Sequence, residues 1–274
     1  MLDISVIIPF KGHSRMTLAC VRSLSAFGPK VREILLINNN SDDASLEPIA
    51  SYASDKPCIK VLNYHQPFNY QKLNNWAVTQ STGKLLLFVN NDVELVSESA
   101  GLIERMAVEA QKPATGAVGC LLLYGDKRTI QHAGVFLVPG GLADHLYVGR
   151  PYARAIASGG HSKEYPYDIT LTFPVTAVTG AVTLVERTKF DRVGMFDERF
   201  ILCGGDVDLC IRLDTAGYQT VFVGQGFMLH KESQSRTGKP IPHSDFCYSY
   251  LSYKQKYDTV FGDPYLPRLT QGVK

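Results

Sequence analysis

LLLFVNNDVEL, residues 85–95, passes from oily side chains into amides and carboxylates without a break. Five consecutive apolar residues, Leu85 to Val89, leave no face for water, the pattern of a short central strand covered on both sides. Asn90, Asn91, Asp92 and Glu94 follow directly. Open α/β sheets bind their ligands just beyond the carboxyl ends of the strands, which makes this junction a candidate site. Asn-Asn-Asp is also ordinary turn chemistry before a helix. The stretch alone leaves both readings open.

Working outward, the same alternation recurs. DISVIIPF reads as a strand and Ser14 to Ala26 as a helix; VREILLINNN and ASLEPIASYA repeat the pair. CIKVLNY is a third strand and Asn69 to Thr79 a third helix, leading into GKLLLFVNND, with a further helix over Ser97 to Ala110. Strands alternating with helices at this spacing argue for βαβ units and a mostly parallel sheet. Three strand ends are polar: Pro9-Phe10-Lys11, Asn38 through Asp43, and Asn90 through Glu94. Their agreement points to one cleft along the carboxyl edge of that sheet.

From Gly116 the rhythm changes. GAVGCLLLY, a turn at Gly125-Asp126 and TIQHAGVFLV read as paired strands. Gly140-Gly141 and the stretch Gly149 to Tyr167 read as loop, and VTGAVTLVER as a strand. GGDVDLCIRLDTAGY reads as a helix with an acidic start and Gly217 as its stop signal. QTVFV follows as a strand, and the Tyr- and Phe-rich tail from Ser244 as a packed helix. No internal repeat or low-complexity linker divides the chain. The expected organisation is one domain with an elaborated C-terminal half: residues 1–112, then 113–243, then a helical tail over 244–274.

Composition removes several classes. The 274 residues are 45% hydrophobic and 20% charged with a net charge of +2, so nothing electrostatic favours nucleic acid as partner. Six scattered cysteines without a CxxC pair resemble neither a zinc site nor a disulfide framework, which fits a reducing compartment. No charged leader with an apolar core opens the chain, and no apolar run approaches the roughly 20 residues of a membrane span. The expected location is the cytoplasm, with contact at the inner face of a membrane or with an enzyme assembly left open.

Three features carry chemistry: Asp92 with Glu94, Asp206 with Asp208, and His230. A hard divalent cation on a diphosphate needs one or two carboxylates, and a general base needs a separate one aimed at the acceptor. Each residue has a plainer role available. Asp206 and Asp208 could stabilise a helix N-terminus, Asp208 could pair with Arg212 one turn on, and a histidine is more often packed than ligating.

The motifs taken in order resemble the inverting glycosyltransferases of family 2, over nearly the whole chain. SVIIPFKGHSRMTLACVRSL resembles that family's first strand and nucleotide loop, INNNSDDAS its second-strand motif, and FNYQKLNNWAVTQSTGKLLLFVNNDVEL the region ending in its DxD-type motif. IQHAGV, AVTGA, GMFDERF, GGDVDLCIRLDTAGY, HKESQSR and FGDPYL follow in the order of a bacterial surface-polysaccharide, rhamnosyltransferase-like branch. The resemblance implies the GT-A fold: α/β, a Rossmann-like mostly parallel sheet flanked by helices, with a mixed acceptor-side C-terminal half. It implies a UDP- or dTDP-sugar donor, a glycan or lipid-linked acceptor, and Mn²⁺ or Mg²⁺ as cofactor, with residues 1–112 as the nucleotide-sugar-binding half and 113–243 as the acceptor and catalytic half.

Position by position, it implies Asp92 and His230 as metal ligands and Asp206 as general base. Pro9, Phe10, Lys11, Asn38, Asn40 and Asp43 would line the base and ribose. Lys72, Asn75, Asn90, Asn91 and Arg236, with Lys239 nearby, would serve the donor and its diphosphate. Thr179, Gly180, Ala181 and Gly205 would border the sugar and acceptor. The chain departs from the pattern where Asn90 and Asn38 replace aspartates, Asn74 replaces an arginine and Gly205 replaces a glutamate. Those departures keep an impaired binding or assembly module in play as an alternative. A sugar nucleotidyltransferase is a second, although PFKGHSRM has only one glycine where that class is Gly- and Arg-rich. No GxGxxG follows the first strand, which argues against a dinucleotide enzyme.

Overall fold

The computed structural model describes residues 1–138, 142–160, 166–231, 240–260 and 263–266, with residues 259 and 260 described by backbone alone. The first half alternates as expected: β1 (Leu2–Phe10), α1 (Ser14–Phe27), β2 (Val31–Asn38), α2 (Asp43–Ala53), β3 (Ile59–Asn63), α3 (Tyr70–Thr79) and β4 (Leu85–Val89). A two-residue strand β5 (Val93–Glu94) and helix α4 (Leu102–Ala110) close it. The second half adds β6 (Thr115–Tyr124), β7 (Ile130–His132), β8 (Val135–Val138), β9 (Leu142–His145), α5 (Tyr152–Ser158), β10 (Thr172–Val175) and β11 (Val182–Glu186). Then come α6 (Arg187–Arg192), α7 (Gly205–Thr215), β12 (Gln219–His230) and α8 (His243–Val260).

One large sheet runs in the order β10-β12-β6-β11-β4-β1-β2-β3, with β5 on β12 and β7 on β6; β8 and β9 form a separate hairpin. Strands β1 to β4 are mutually parallel. In the second half β11 runs antiparallel to both β4 and β6, and β6 and β12 are parallel. β4 is therefore the seam, and all five of its residues are buried. Its side chains alternate between two cores. Leu86 and Phe88 join Ile7, Leu35 and Leu73 on one face, while Leu85, Leu87 and Val89 join Val6, Leu36, Val21 and Met106 on the other. Phe88 lies in a ring cluster, 5.4 Å from Phe190 and 4.9 Å from Phe196 between centroids. An unbroken apolar run is what a strand needs when helices cover both faces.

Local chemistry fixes the helix starts that matter. Asp42 caps α2 by accepting from Ser45 N–H at 2.7 Å, and Asn69 caps α3 by accepting from Lys72 N–H at 2.9 Å. Parallel register sets Phe10 beside Asn38 and Asn38 beside Asn63, so three strand ends finish on one edge.

Four expectations about elements need correction. The helix expected over Ser97–Ala110 starts at Leu102. Residues 97–99 form a 3₁₀ turn instead, and Gly101 reverses the chain at φ 73°. That turn is held by β12, where Ser99 Oγ donates to Phe227 O at 2.5 Å. The stretch expected as loop contains α5, which starts after Pro151 and buries Ala155. TIQHAGVFLV is broken at Gly134 (φ 108°), and its second part pairs with β9 rather than β6. VTGAVTLVER is strand only from Val182; Val178 to Ala181 form a loop. Gly140-Gly141 lie outside the described residues. Among the described residues, which include all six cysteines, no disulfide forms. Among the described residues, no helix is long and apolar enough to cross a membrane.

Candidate active site

The end of β4 builds the first part of the site. Asn90 N–H donates to Ala181 O at 2.9 Å, and Val93 N–H returns to Asn90 O at 3.1 Å, closing a turn that buries Asp92. β5 then pairs with the end of β12, His230 opposite Val93, and Lys231 N–H donates to Asp92 O at 3.0 Å. This brings residues 138 apart in sequence together: His230 Nε2 lies 3.0 Å from Asp92 Oδ1.

Gln131 orients the imidazole from behind: His230 Nδ1 sits 2.7 Å from Gln131 Oε1, which leaves Nε2 turned to Asp92. Asp92 Oδ1 is buried without a hydrogen-bond partner, although Nε2 is close. A buried, unpartnered carboxylate oxygen beside an imidazole nitrogen suits a shared cation. The donor set, one carboxylate and one imidazole, fits a divalent metal whose remaining positions come from phosphate and water. Among the described residues no third His, Cys, Asp or Glu joins them. Glu94 is spent on Lys231, at 2.5 Å across the β5–β12 pair.

The second part is Asp206, in the first turn of α7. Its Oδ2 accepts from Gly180 N–H at 2.7 Å and its Oδ1 from Val207 N–H at 2.9 Å. Both bonds fix the direction in which the carboxylate faces. Asp208 is turned away, accepting from Arg212 Nε at 2.8 Å and Ser252 Oγ at 3.1 Å. The expected Asp208–Arg212 pair is present.

Tyr70 joins the two parts. Its hydroxyl lies 3.1 Å from Asn90 Oδ1 and 3.0 Å from Gly180 O, tying the end of β4 to the loop that holds Asp206. Gly205 has a steric reason. A Cβ there would stand 2.5 Å from the Gln71 amide, so the space a glutamate would start from is filled by Gln71.

The third part is the corner formed by β1, β2 and β3. Phe10 is buried and Pro9 half-buried, while Lys11 is exposed. Asn38 spans the corner, donating to Asn63 Oδ1 at 2.9 Å and accepting from Ser41 N–H at 2.9 Å. Asn39 donates to the carbonyls of Tyr64 and Gln66, leaving its buried Oδ1 without a partner. Asn40 adopts φ 58° and is exposed, as is Asp43. Lys72 is exposed in the first turn of α3.

Several expected ligands are engaged elsewhere. The Asn75 amide donates to Phe196 O at 2.9 Å and accepts from Phe196 N–H at 3.1 Å, so it pins that segment instead of facing outward. Asn91 donates to Thr17 Oγ1 at 3.0 Å and anchors α1. Thr179 caps its own loop, accepting from Ala181 N–H at 3.2 Å. Arg236 and Lys239 lie outside the described residues. Tyr70, Gln71 and Gln131 carry geometry that sequence reading missed. Each is an ordinary residue whose importance comes from a distant partner: Gly180 for Tyr70, Gly205 for Gln71 and His230 for Gln131, 99 to 134 positions away.

A sheet of this order, with a carboxylate and a histidine at the end of the seam strand and a second carboxylate opening the facing helix, defines the GT-A class of fold. Solved structures agree. GalNAc-T7 with UDP, GalNAc and Mn²⁺ superposes with a TM-score of 0.63 at 18% identity, covering 84% of this chain and 44% of that one. A mannosyltransferase from Pyrobaculum calidifontis in complex with GDP-Man and Mn²⁺ gives 0.61 at 11% identity, covering 93% and 69%. Residues 5–153 match the family described as Glycosyl transferase family 2, and the chain belongs to that family.

Among curated relatives, it is 37% identical to the O-antigen biosynthesis protein RfbC of Myxococcus xanthus over 97% of its own length and 20% of that protein's. A 70-residue stretch, 26% of the chain and 23% of the relative, is 40% identical to the N-acetylglucosaminyl-diphospho-decaprenol L-rhamnosyltransferase of Mycobacterium tuberculosis. The chain thus spans about a fifth of the length of these relatives.

Proposed function

We propose that the chain moves a sugar from a nucleoside-diphosphate donor, UDP- or dTDP-linked, to a hydroxyl of a glycan or lipid-linked acceptor, with inversion at the anomeric carbon. The observation that carries this is the buried pair Asp92–His230 at the end of the seam strand, tied through Tyr70 and the loop at Gly180 to the carboxylate of Asp206 on α7. Names among the relatives support bacterial surface polysaccharide as the product, and its synthesis belongs, on the same proposal, at the cytoplasmic face of the membrane.

Asp206 keeps lone pairs beyond those used by Gly180 and Val207. It accepts the proton of the acceptor hydroxyl as that oxygen bonds to the anomeric carbon. The bond from that carbon to the diphosphate oxygen breaks, and the nucleoside diphosphate leaves from the opposite face. General-base assistance of this kind contributes about 10²–10⁴-fold. Phe10, Asn38 and Asn40 form the corner for base and ribose, and the loop 179–181 borders the sugar. Asp92 and His230 would hold Mn²⁺ or Mg²⁺, which neutralises charge on the departing diphosphate. Residues 1–112 serve the donor, and the later residues serve the acceptor and the base.

Thermal-shift binding to a panel of nucleoside diphosphates, with and without Mn²⁺, tests this reading. Ligand at one hundred times its Kd adds about 2.7 kcal/mol of stability. We expect metal-dependent stabilisation by UDP or dTDP that is lost in Asp92→Ala. Indifference to every nucleotide would refute the reading.

A further inference from the structure

The sequence just before Asp206 does not fix where that carboxylate points. Residues 201–204 have no regular structure, and Gly204 (φ 88°) and Gly205 precede it, the two residues with the widest choice of backbone conformation. The restraint comes from α8. Asp245, 1% exposed, accepts three consecutive backbone N–H groups: Ile201 at 2.8 Å, Leu202 at 2.8 Å and Cys203 at 2.9 Å. Two turns later Tyr253 Oη donates to Gly204 O at 2.7 Å, and beside it Ser252 Oγ donates to Asp208 Oδ1 at 3.1 Å. Asp245, Ser249, Ser252 and Tyr253 fall on one helical face. That face presses so closely that a Cβ on Gly204 would stand 2.4 Å from Ser249 Oγ. From the other side, Tyr70 N–H donates to Ile201 O at 2.7 Å and Gln71 packs on Gly205.

We propose that α8 is the clamp that aims Asp206: Asp245 and Tyr253 are positioning residues that set the base through the backbone of residues 201–204. The inference rests on the transferase reading, since it assigns a task to the same aspartate. Three N–H groups gathered by one carboxylate form a rigid anion nest, and the loop they stiffen leads straight into the first turn of α7. Misplacing a reacting group by about 1 Å costs on the order of 10²-fold in rate, so loosening this loop should act on turnover and not on donor binding.

The experiment compares wild type with Asp245→Asn, Tyr253→Phe and Lys256→Ala. Lys256 pairs with Asp214 at the far end of α7 and serves as the control that weakens α8 without touching the loop. Nucleotide release is followed from UDP-N-acetylglucosamine and dTDP-rhamnose, with octyl glycosides of glucose, N-acetylglucosamine and rhamnose as acceptors. Circular dichroism at the assay temperature gives the folded fraction. Per folded molecule, Asp245→Asn should lower kcat by about 10–100-fold and Tyr253→Phe by about 3–10-fold. KM for the nucleotide sugar should stay within about twofold in both, and Lys256→Ala should match wild type in kcat. If Asp245→Asn does not fold, Tyr253→Phe decides. Normal kcat per folded molecule in the clamp variants overturns the clamp and leaves the transferase reading standing. A wild-type chain that binds no nucleotide and releases none from either donor overturns the transferase reading, and the clamp's role falls with it.

Discussion

The orientation of His230 is set by Gln131, a residue that touches no substrate in the proposed reaction. Because Nδ1 is held 2.7 Å from Gln131 Oε1, Nε2 is left turned to Asp92 Oδ1. Gln131→Leu should remove that orientation while roughly keeping volume. The Mn²⁺ concentration for half-maximal nucleotide stabilisation should rise about 10–100-fold, as for other lost partners of ligating histidines; an unchanged value would show that Gln131 does not tune the pair. Asp206→Asn removes the base yet leaves the donor corner whole. Nucleotide-induced stabilisation should match wild type, while turnover falls by about 10²–10⁴-fold. Gly205→Ala drives a methyl group into the Gln71 amide, at a cost of about 1–3 kcal/mol in urea unfolding. Adding Gln71→Ala should recover much of that loss, a non-additivity expected of groups in contact.

At the scale of elements, the turn before β4 is pinned to β1 and β2 by one buried carboxylate. Glu33, 3% exposed, accepts from Ser5 Oγ at 2.7 Å, Thr82 N–H at 2.6 Å, Thr82 Oγ1 at 2.9 Å and Lys60 Nζ at 2.7 Å. Burial alone would raise its pKa, but Lys60, Ser5 and Thr82 together bring it down to about 2. A carboxyl depressed in the folded state contributes stability above its unfolded pKa near 4.5, and the contribution fades as pH falls from there towards about 2. Glu33→Gln should therefore cost at most about 3 kcal/mol at pH 7. That deficit should shrink steadily below pH 4.5. Urea titrations at pH 7, 4 and 3 would show the convergence; a constant gap would place the Glu33 contribution outside its ionisation.

For the whole molecule, the position of β4 decides how the halves depend on each other. It is flanked by β1 on one side and β11 on the other, and its alternate side chains enter both cores. We propose that the donor and acceptor halves fold as one unit. Trp76 on α3 reports the first half, and far-ultraviolet circular dichroism reports both. Their urea transitions should coincide. Residues 1–112 expressed alone would expose β4 as an apolar edge where β11 belongs, a template for aggregation. A folded, monomeric 1–112 fragment would contradict the single unit.

How much of this was legible follows from where each signal resides. Periodicity and strand-end polarity placed β1 to β4 and the helices between them. These are local properties: an all-apolar run is stable only between two layers, and a cap lies within three residues of what it caps. Family resemblance then named Asp92, Asp206 and His230 before any contact was visible. Only tertiary structure decided which polar side chains face outward and which are consumed inside. Asn75 and Phe196 are 121 residues apart, and Asp245 stands 42 to 44 residues beyond the N–H groups it gathers. α5 is hidden in the sequence because its seven residues, Tyr152–Ser158, are too few to show an apolar period, and the 97–99 turn because its partner is β12. Local propensity fixes elements within a few residues. The orientation of His230 and the aim of Asp206 depend on hydrogen bonds that exist only once distant segments have packed.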